Sequence, residues 1–388
     1  MSLFMTKEKA PPTMVRKIVS LKNPGEVHLL KQSLEQVGAR LIKELPIVNA
    51  YLCEFPSEEK ALLTFRNREE LFEVEDDIEF KLCWLFAPFF PLPPLFPPPF
   101  QAPAKPQPQP VYGGVRVGWG LKRIGAPEVW DKLQKRRVRV GIIDTGIDYK
   151  HQDLRENIKD GICTLDGQRD FMDDYGHGTH IAGIIGSAGN RYRGMMGINP
   201  YVDIYAVKAF NKEGKGKLSD IIEGLEWLAR RQVELINMSF STSENSRAFA
   251  SAISFMEAQG ITMVAASGND GVGRSVKFPA RFPQVIAVSA TDRYDRVAAF
   301  SSTGPEVDFC APGTDIPSAW LNNSYEEKSG TSFAAPHITG IAADIQNVYG
   351  PMPPSRLREI MASGAVRLAQ LSDEQQGAGM VELPRIIK

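Results

Sequence analysis

No apolar run in this 388-residue sequence approaches the roughly 20 residues needed to cross a bilayer, so no membrane span is expected. The charges nearly cancel, leaving a formal net charge of −1, which argues against nucleic acid or an anionic lipid surface as the main partner. Cysteine is sparse: Cys53, Cys83, Cys163 and Cys310 stand far apart, without metal-ligand spacing or the density of a disulfide scaffold. Only five histidines occur, so a histidine-built metal centre has little to draw on. The opening MSLFMTKEKAPPTMVRK is basic but lacks the apolar stretch of roughly 7–15 residues that marks a secretory signal. Free thiols and a cytoplasmic location are therefore expected, with signal-independent export as the alternative. No internal repeat is found.

The rest of the composition is ordinary for a globular protein, 43% hydrophobic and 23% charged, at a length that suits two domains or one large core with an appendage. Proline marks the boundary. From Pro88 to Pro110 it recurs so densely that neither helix nor sheet can persist, and an extended connector is expected. Aromatic and aliphatic residues crowd the half from Trp84 to Phe100, which is expected to lie against a domain, while Gln101–Pro110 is expected to be free. The alternative is a sticky, unstructured linker. The expected division is a tail over 1–13, a small unit over 14–83, a linker over 84–112 and a large domain over 113–388.

In the small unit, VRKIVSL, ARLIKEL, IVNAYLCEF and LFEVEDDIEF read as strands. Two helices fall between them, one carrying Val27, Leu30, Leu34 and Val37 on one face and one opening at Ser57. The order β-α-β-β-α-β is that of a ferredoxin-like α+β unit. After the linker, β-branched runs such as VRVGIID, DIYAVKAF, ITMVAAS and VIAVSAT alternate with helical segments. The fold class expected there is α/β, a doubly wound and mostly parallel sheet.

Three motifs in that domain carry chemistry. Asp144 closes a buried strand run in GIIDTGID, at the strand end where open parallel sheets place their sites. His177 lies in GHGTH, between glycines that leave an imidazole accessible. Ser332 lies in GTSFAAPH, where a helix begins that Pro336 is expected to bend. A serine hydroxyl attacks only when a base removes its proton, and that base needs a third group to fix its tautomer. Asp144, His177 and Ser332 supply the three. His180 makes a His-x-x-His pair with His177, but no further ligands stand at a plausible spacing, so His180 is read as structural.

Taken together, and in the order Asp, His, Ser, these motifs resemble those of the subtilisin-like serine proteases. The resemblance runs from about Trp119 to Leu383, and more loosely over the upstream unit. It implies a serine endopeptidase working through an acyl-enzyme on Ser332, with His177 as base and then acid and Asp144 orienting it. Asn269, in VAASGNDG, matches the family's side-chain donor to the oxyanion, with the Ser332 amide as the second donor. Substrate is implied to pair with Ser239-Phe240-Ser241 and Gly214-Lys215-Gly216, and to meet Ala266-Ser267-Gly268. Phe240 stands where the family has a smaller substrate strand, so a narrowed cleft with altered apolar pockets is expected. Phe333 replaces the usual methionine after the nucleophile. Asp270 is expected to favour a basic substrate side chain unless Arg274 cancels it.

The resemblance further implies that the upstream unit is a propeptide, an intramolecular inhibitor that aids folding and caps the cleft. Phe80-Lys81-Leu82-Cys83 would then lie along the substrate strands, with processing between Cys83 and Trp84. No cofactor is implied for catalysis. A structural calcium is implied near Asp153 and Asn190, with the acidic stretch Asp166–Asp174 as another oxygen cluster or a solvated loop. Two other functions stay open: a processing protease with one protein client, and a non-proteolytic binding or regulatory protein on the same fold.

Overall fold

The computed structural model describes residues 14–66, 68–84, 111–112, 115–134, 136–189, 194–271 and 273–388. The chain forms two compact units. One runs to Ile78 and includes Ser246–Ala252; the other comprises Glu79–Asn245 and Ile253–Lys388.

The smaller unit is built from β1 (Val15–Leu21), α1 (Val27–Val37), β2 (Arg40–Leu45), β3 (Ala50–Phe55), α2 (Glu58–Phe65) and β4 (Phe72–Asp76). Its sheet has the order β2-β3-β1-β4, with every neighbour antiparallel. Gly38 takes a left-handed φ of 70° and stops α1, and the Ser57 hydroxyl accepts the Lys60 amide to start α2. Leu30 and Leu34 of α1 meet Val19, Leu21, Cys53, Phe55, Phe65 and Phe72 in one apolar core. The long strand expected from Leu71 to Phe80 breaks at Asp77–Ile78, and the division between the units falls at the same place.

The larger unit contains, in chain order, β5 (Glu79–Leu82), β6 (Val111–Tyr112), β7 (Val115–Arg116), α3 (Trp119–Arg123), β8 (Val138–Asp144), β9 (Ile158–Cys163), α4 (His177–Gly186), β10 (Val202–Lys208), β11 (Lys215–Lys217), α5 (Leu218–Arg230), β12 (Leu235–Met238), β13 (Phe240–Ser241), α6 (Arg247–Ala258, shared with the smaller unit), β14 (Thr262–Ala266), β15 (Val285–Thr291), β16 (Val307–Pro312), β17 (Ile316–Trp320), β18 (Ser324–Lys328), α7 (Thr331–Tyr349), α8 (Pro354–Gly364), β19 (Ala365–Val366), α9 (Asp373–Gln376) and β20 (Met380–Val381). Its main sheet has the order β19-β20-β16-β15-β14-β12-β8-β10-β9 and is parallel except at the β19-β20 edge.

Parallel neighbours need crossovers, and here helices supply them, which buries both faces of the sheet. The interior strands read accordingly: every residue of β12, β14 and β15 is buried. α7 packs over β12, β14, β15 and β16, and α5 lies against β8 and β10. A separate sheet of order β11-β5-β13 sets β5 between two short strands. No helix among the described residues is long and apolar enough to cross a membrane. Residues 85–110, which include most of the expected linker, lie outside the described residues.

Candidate active site

Asp144 is the last residue of β8, an interior strand flanked by β10 and β12. His177 is the first residue of α4, and the turn before it is held by a buried carboxylate. Asp173 accepts the Tyr175 amide at 2.9 Å, the Gly176 amide at 2.8 Å, and the Thr179 amide and hydroxyl at 2.9 and 2.6 Å. Burial pushes the Asp173 carboxyl up, against those four bonds. The end of the acidic stretch is thus a helix cap, and Asp174 pairs with the buried Lys208 at 2.5 Å. Gly176, at φ 104°, brings the chain into α4 where a side chain would strike the Trp320 indole at 2.4 Å.

Both Asp144 oxygens face His177 Nδ1, at 2.8 and 2.9 Å, in a site where neither residue is exposed. The Nδ1–H therefore donates to the carboxylate, and Nε2 is left with its lone pair. That nitrogen is buried and has no hydrogen-bond partner among the described residues. The Phe333 ring, 5.4 Å from the imidazole, packs against it.

Ser332 is the second residue of α7. Its hydroxyl donates to the Ser239 carbonyl at 2.8 Å, and its amide donates to the Cys83 carbonyl at 3.1 Å. Pro336 is explained here. In a helix its amide would bond the carbonyl four residues back, but proline has no N–H, so the Ser332 carbonyl is freed. The Ser239 hydroxyl fills that place at 2.8 Å and is itself held by Asn237 at 2.8 Å, which Thr339 holds in turn at 3.0 Å. The helix expected to bend at Pro336 continues to Tyr349 with its missing donor replaced from a neighbouring strand.

Asn269 follows β14 through Ala266, Ser267 and Gly268. Its Oδ1 accepts the Thr331 amide at 3.0 Å and the Thr331 hydroxyl at 2.8 Å, which fixes the orientation of the amide group. Nδ2 then faces the other way, buried and without a partner among the described residues. Ser267 and Gly268 bond to Val288, Ser302 and Thr331, so they brace Asn269 and make no hydrogen bond to β5 among the described residues.

A peptide already lies across this site. β5 pairs antiparallel with β11 through Lys81↔Lys215, Phe80↔Gly216 and Glu79↔Lys217, and with β13 through Leu82↔Phe240 and Lys81↔Ser241. Gly214 accepts the Leu82 amide at 3.4 Å, and Ser239 accepts the Cys83 amide at 3.2 Å. Phe80 is fully buried, edge-on to Phe240 at 5.6 Å, and Phe240 rests on Phe210 at 5.0 Å. The aromatic at position 240 thus builds an apolar pocket with Phe210 and does not merely narrow the cleft. The Cys83 thiol donates to the Ser241 hydroxyl at 3.0 Å, and burial pushes its pKa up to about 12, so it stays protonated. Gly330 lets the Cys83 carbonyl in: a Cβ there would meet that oxygen at 2.4 Å.

One expectation needs correction. Asp270 is bound by Lys277 at 2.5 Å, while Arg274 reaches Glu374 at 3.5 Å, so the charge meant for a basic substrate is met by a different residue. Of the two residues implied to hold calcium, Asp153 accepts the Met195 amide at 2.9 Å and the Tyr325 hydroxyl at 2.6 Å through Oδ2, and Asn190 lies outside the described residues. His180 donates Nε2–H to the Glu326 carbonyl at 3.1 Å, and burial lowers its pKa to about 3. It is a neutral core residue. The sequence reading missed Tyr175, Trp320 and Lys328, which surround Trp84 from three separate elements; nothing local in the chain signals them.

Residues 135–379 match the sequence profile of the subtilase family, Peptidase_S8. The chain is 39% identical over 266 residues to the minor extracellular protease Epr of Bacillus subtilis (strain 168), an alignment covering 68% of this chain and 41% of that protein. It therefore spans less than half of Epr. It is 38% identical over 256 residues to subtilisin DY of Bacillus licheniformis, covering 65% of this chain and 92% of that one. Against subtilisin Savinase of Lederbergia lenta the identity is 35% over 266 residues, covering 68% and 96%.

Proposed function

The chain belongs to the subtilase family of serine endopeptidases, and we propose that Asp144, His177, Ser332 and Asn269 are its machinery and that the segment ending at Cys83 is its own inhibitor. The observation that carries this reading is the Cys83 carbonyl, 3.1 Å from the Ser332 amide, at the end of a strand paired on both sides. A substrate carbonyl approaching the same amide would be polarised there and would face the serine.

The Ser332 hydroxyl turns from the Ser239 carbonyl to His177 Nε2 by rotation about its Cα–Cβ bond. Its oxygen bonds to the carbonyl carbon while its proton passes to Nε2, and Asp144 stabilises the imidazolium. Negative charge builds on the carbonyl oxygen and is met by the Ser332 amide and Asn269 Nδ2. The C–N bond then breaks, and His177 gives its proton to the departing amine. Water repeats the sequence: its oxygen bonds to the acyl carbon, its proton passes through His177 back to Ser332, and a carboxylic acid leaves. No cofactor enters.

Substrates are polypeptides bound as an added strand, with an apolar side chain in the Phe240–Phe210 pocket now holding Phe80. Beside Cys83 lies a cavity of about 400 Å³ lined by Ser241, Ser243, Glu244, Asp270 and Lys277, which suits a longer polar side chain. The Ser332 hydroxyl resting on Ser239 supports a latent state awaiting release of the segment.

Intact-mass measurement of the full chain tests the reading. Fragments beginning at Trp84 are expected from the wild type and none from Ser332→Ala. Identical cutting in the variant rejects self-processing. Failure of a fluorophosphonate to label Ser332, before and after incubation, leaves a non-proteolytic protein on this fold.

A further inference from the structure

The cleaved bond has a second side, and there the contacts come from a side chain. Trp84 donates its indole N–H to the Tyr175 hydroxyl at 3.0 Å, and the two rings meet edge-on at 5.4 Å. Trp320 lies 6.1 Å away at a 35° tilt. Lys328 Nζ stands over both indoles, 5.4 Å from the ring centre of Trp84 and 4.5 Å from that of Trp320. The enclosure is built: Tyr175 lies in the turn held by Asp173, and β17 and β18 pair from Ile316↔Lys328 to Trp320↔Ser324. Only a residue without a side chain at Gly176 lets Trp320 come so near.

We propose that Tyr175, Trp320 and Lys328 form a recognition site for the side chain that follows the cleaved bond, selecting an indole first and other aromatic rings next. This rests on the endopeptidase reading and adds a substrate class to it. Two ring faces and an ammonium offer stacking, edge and cation–π contacts to any aromatic, and the Tyr175 oxygen adds a hydrogen bond that only a ring N–H or O–H can use. An aliphatic or small side chain gains none of these. The occupant's ring stands 5.9 Å from the His177 imidazole, so an aromatic residue also shields the base from water while the amine departs.

The test uses self-processed full-length protein and peptides of the form Phe-Lys-Leu-Cys-X-Ser-Gly, with X as Trp, Phe or Ala. The expected kcat/KM for Trp exceeds that for Ala by about tenfold, with Phe between. Tyr175→Phe is expected to narrow the Trp-over-Phe ratio, and Trp320→Ala to narrow the ratio of either aromatic over Ala. Should the chain stay closed to added peptides, the same order is read from its own 83–84 bond, cut about tenfold more slowly in Trp84→Ala than in the wild type. Rates within twofold across X, or ratios unmoved by Tyr175→Phe while the overall rate falls, overturn the proposal and leave the endopeptidase reading standing. A chain that takes no fluorophosphonate and cuts nothing overturns both.

Discussion

On the acyl side of the Cys83–Trp84 bond, the one proposed to be cut, backbone pairing and two enclosed side chains hold the chain, and on the leaving side one side chain does. Glu79–Leu82 lies between β11 and β13 and pairs with both through amides and carbonyls, and the Phe80 and Cys83 side chains are enclosed. Trp84 instead sits among Tyr175, Trp320 and Lys328. Backbone pairing accepts almost any sequence, whereas a ring enclosure accepts a few residue types. The acyl side thus adds side-chain pockets to a permissive backbone pairing, while the leaving side rests on a ring enclosure.

Ser332→Ala should erase the distinction by stopping turnover on every peptide, a loss of about 10⁶ in kcat, the figure known for subtilisin's own serine and carried over here. Asn269→Ala touches only the acyl side. It should lower kcat by about 10²–10³ with KM little changed, again a magnitude taken from subtilisin. Phe80→Ala empties the Phe240 pocket and should speed fluorophosphonate labelling of Ser332 in the full chain by about tenfold, since roughly 1.5–3 kcal/mol of apolar burial is at stake. Lys81→Ser, at an exposed position paired through its backbone, should change that rate by less than about twofold.

A last variant lies on neither side. Asp344 is buried in α7 with both oxygens unpartnered among the described residues, and burial holds its carboxyl well above the usual 3.8, with the Asn199 side chain pulling the other way. The folded chain keeps that proton while the unfolded chain loses it above pH 3.8, so this group makes stability fall as pH rises through the window up to its raised value. Asp344→Asn should remove the slope. The gain, read from denaturant midpoints at successive pH values from about 4 upward, should grow by up to about 1.4 kcal/mol per pH unit until the raised value is passed, with peptide preference unchanged.

The groups proposed to react are legible in the chain because each sits in a short motif at an element boundary: Asp144 at a strand end, His177 and Ser332 at helix starts, Asn269 in the turn after β14. The parallel sheet is legible because strands buried on both faces read as continuous apolar runs. Pairings are not. Lys277, and not the nearer Arg274, reaches Asp270, since the loop geometry decides which cation folds back. β17 and β18 escape notice because IPSAW and SYEEK are short and half polar, and with them go Trp320 and Lys328. Tyr175 and Trp320 are brought together only by the tertiary fold. The role of Pro336 is likewise invisible until Ser239 is seen to bond the carbonyl it frees.

Self-processing at the Cys83–Trp84 bond requires the Cys83 carbonyl to stand where a substrate carbonyl reacts. Timed intact-mass spectra of the wild-type chain and of Ser332→Ala, recorded side by side, test this most directly. A fragment beginning at Trp84 that appears only in the wild type is the expected result. A first cut elsewhere, or the same cut in both proteins, would contradict it.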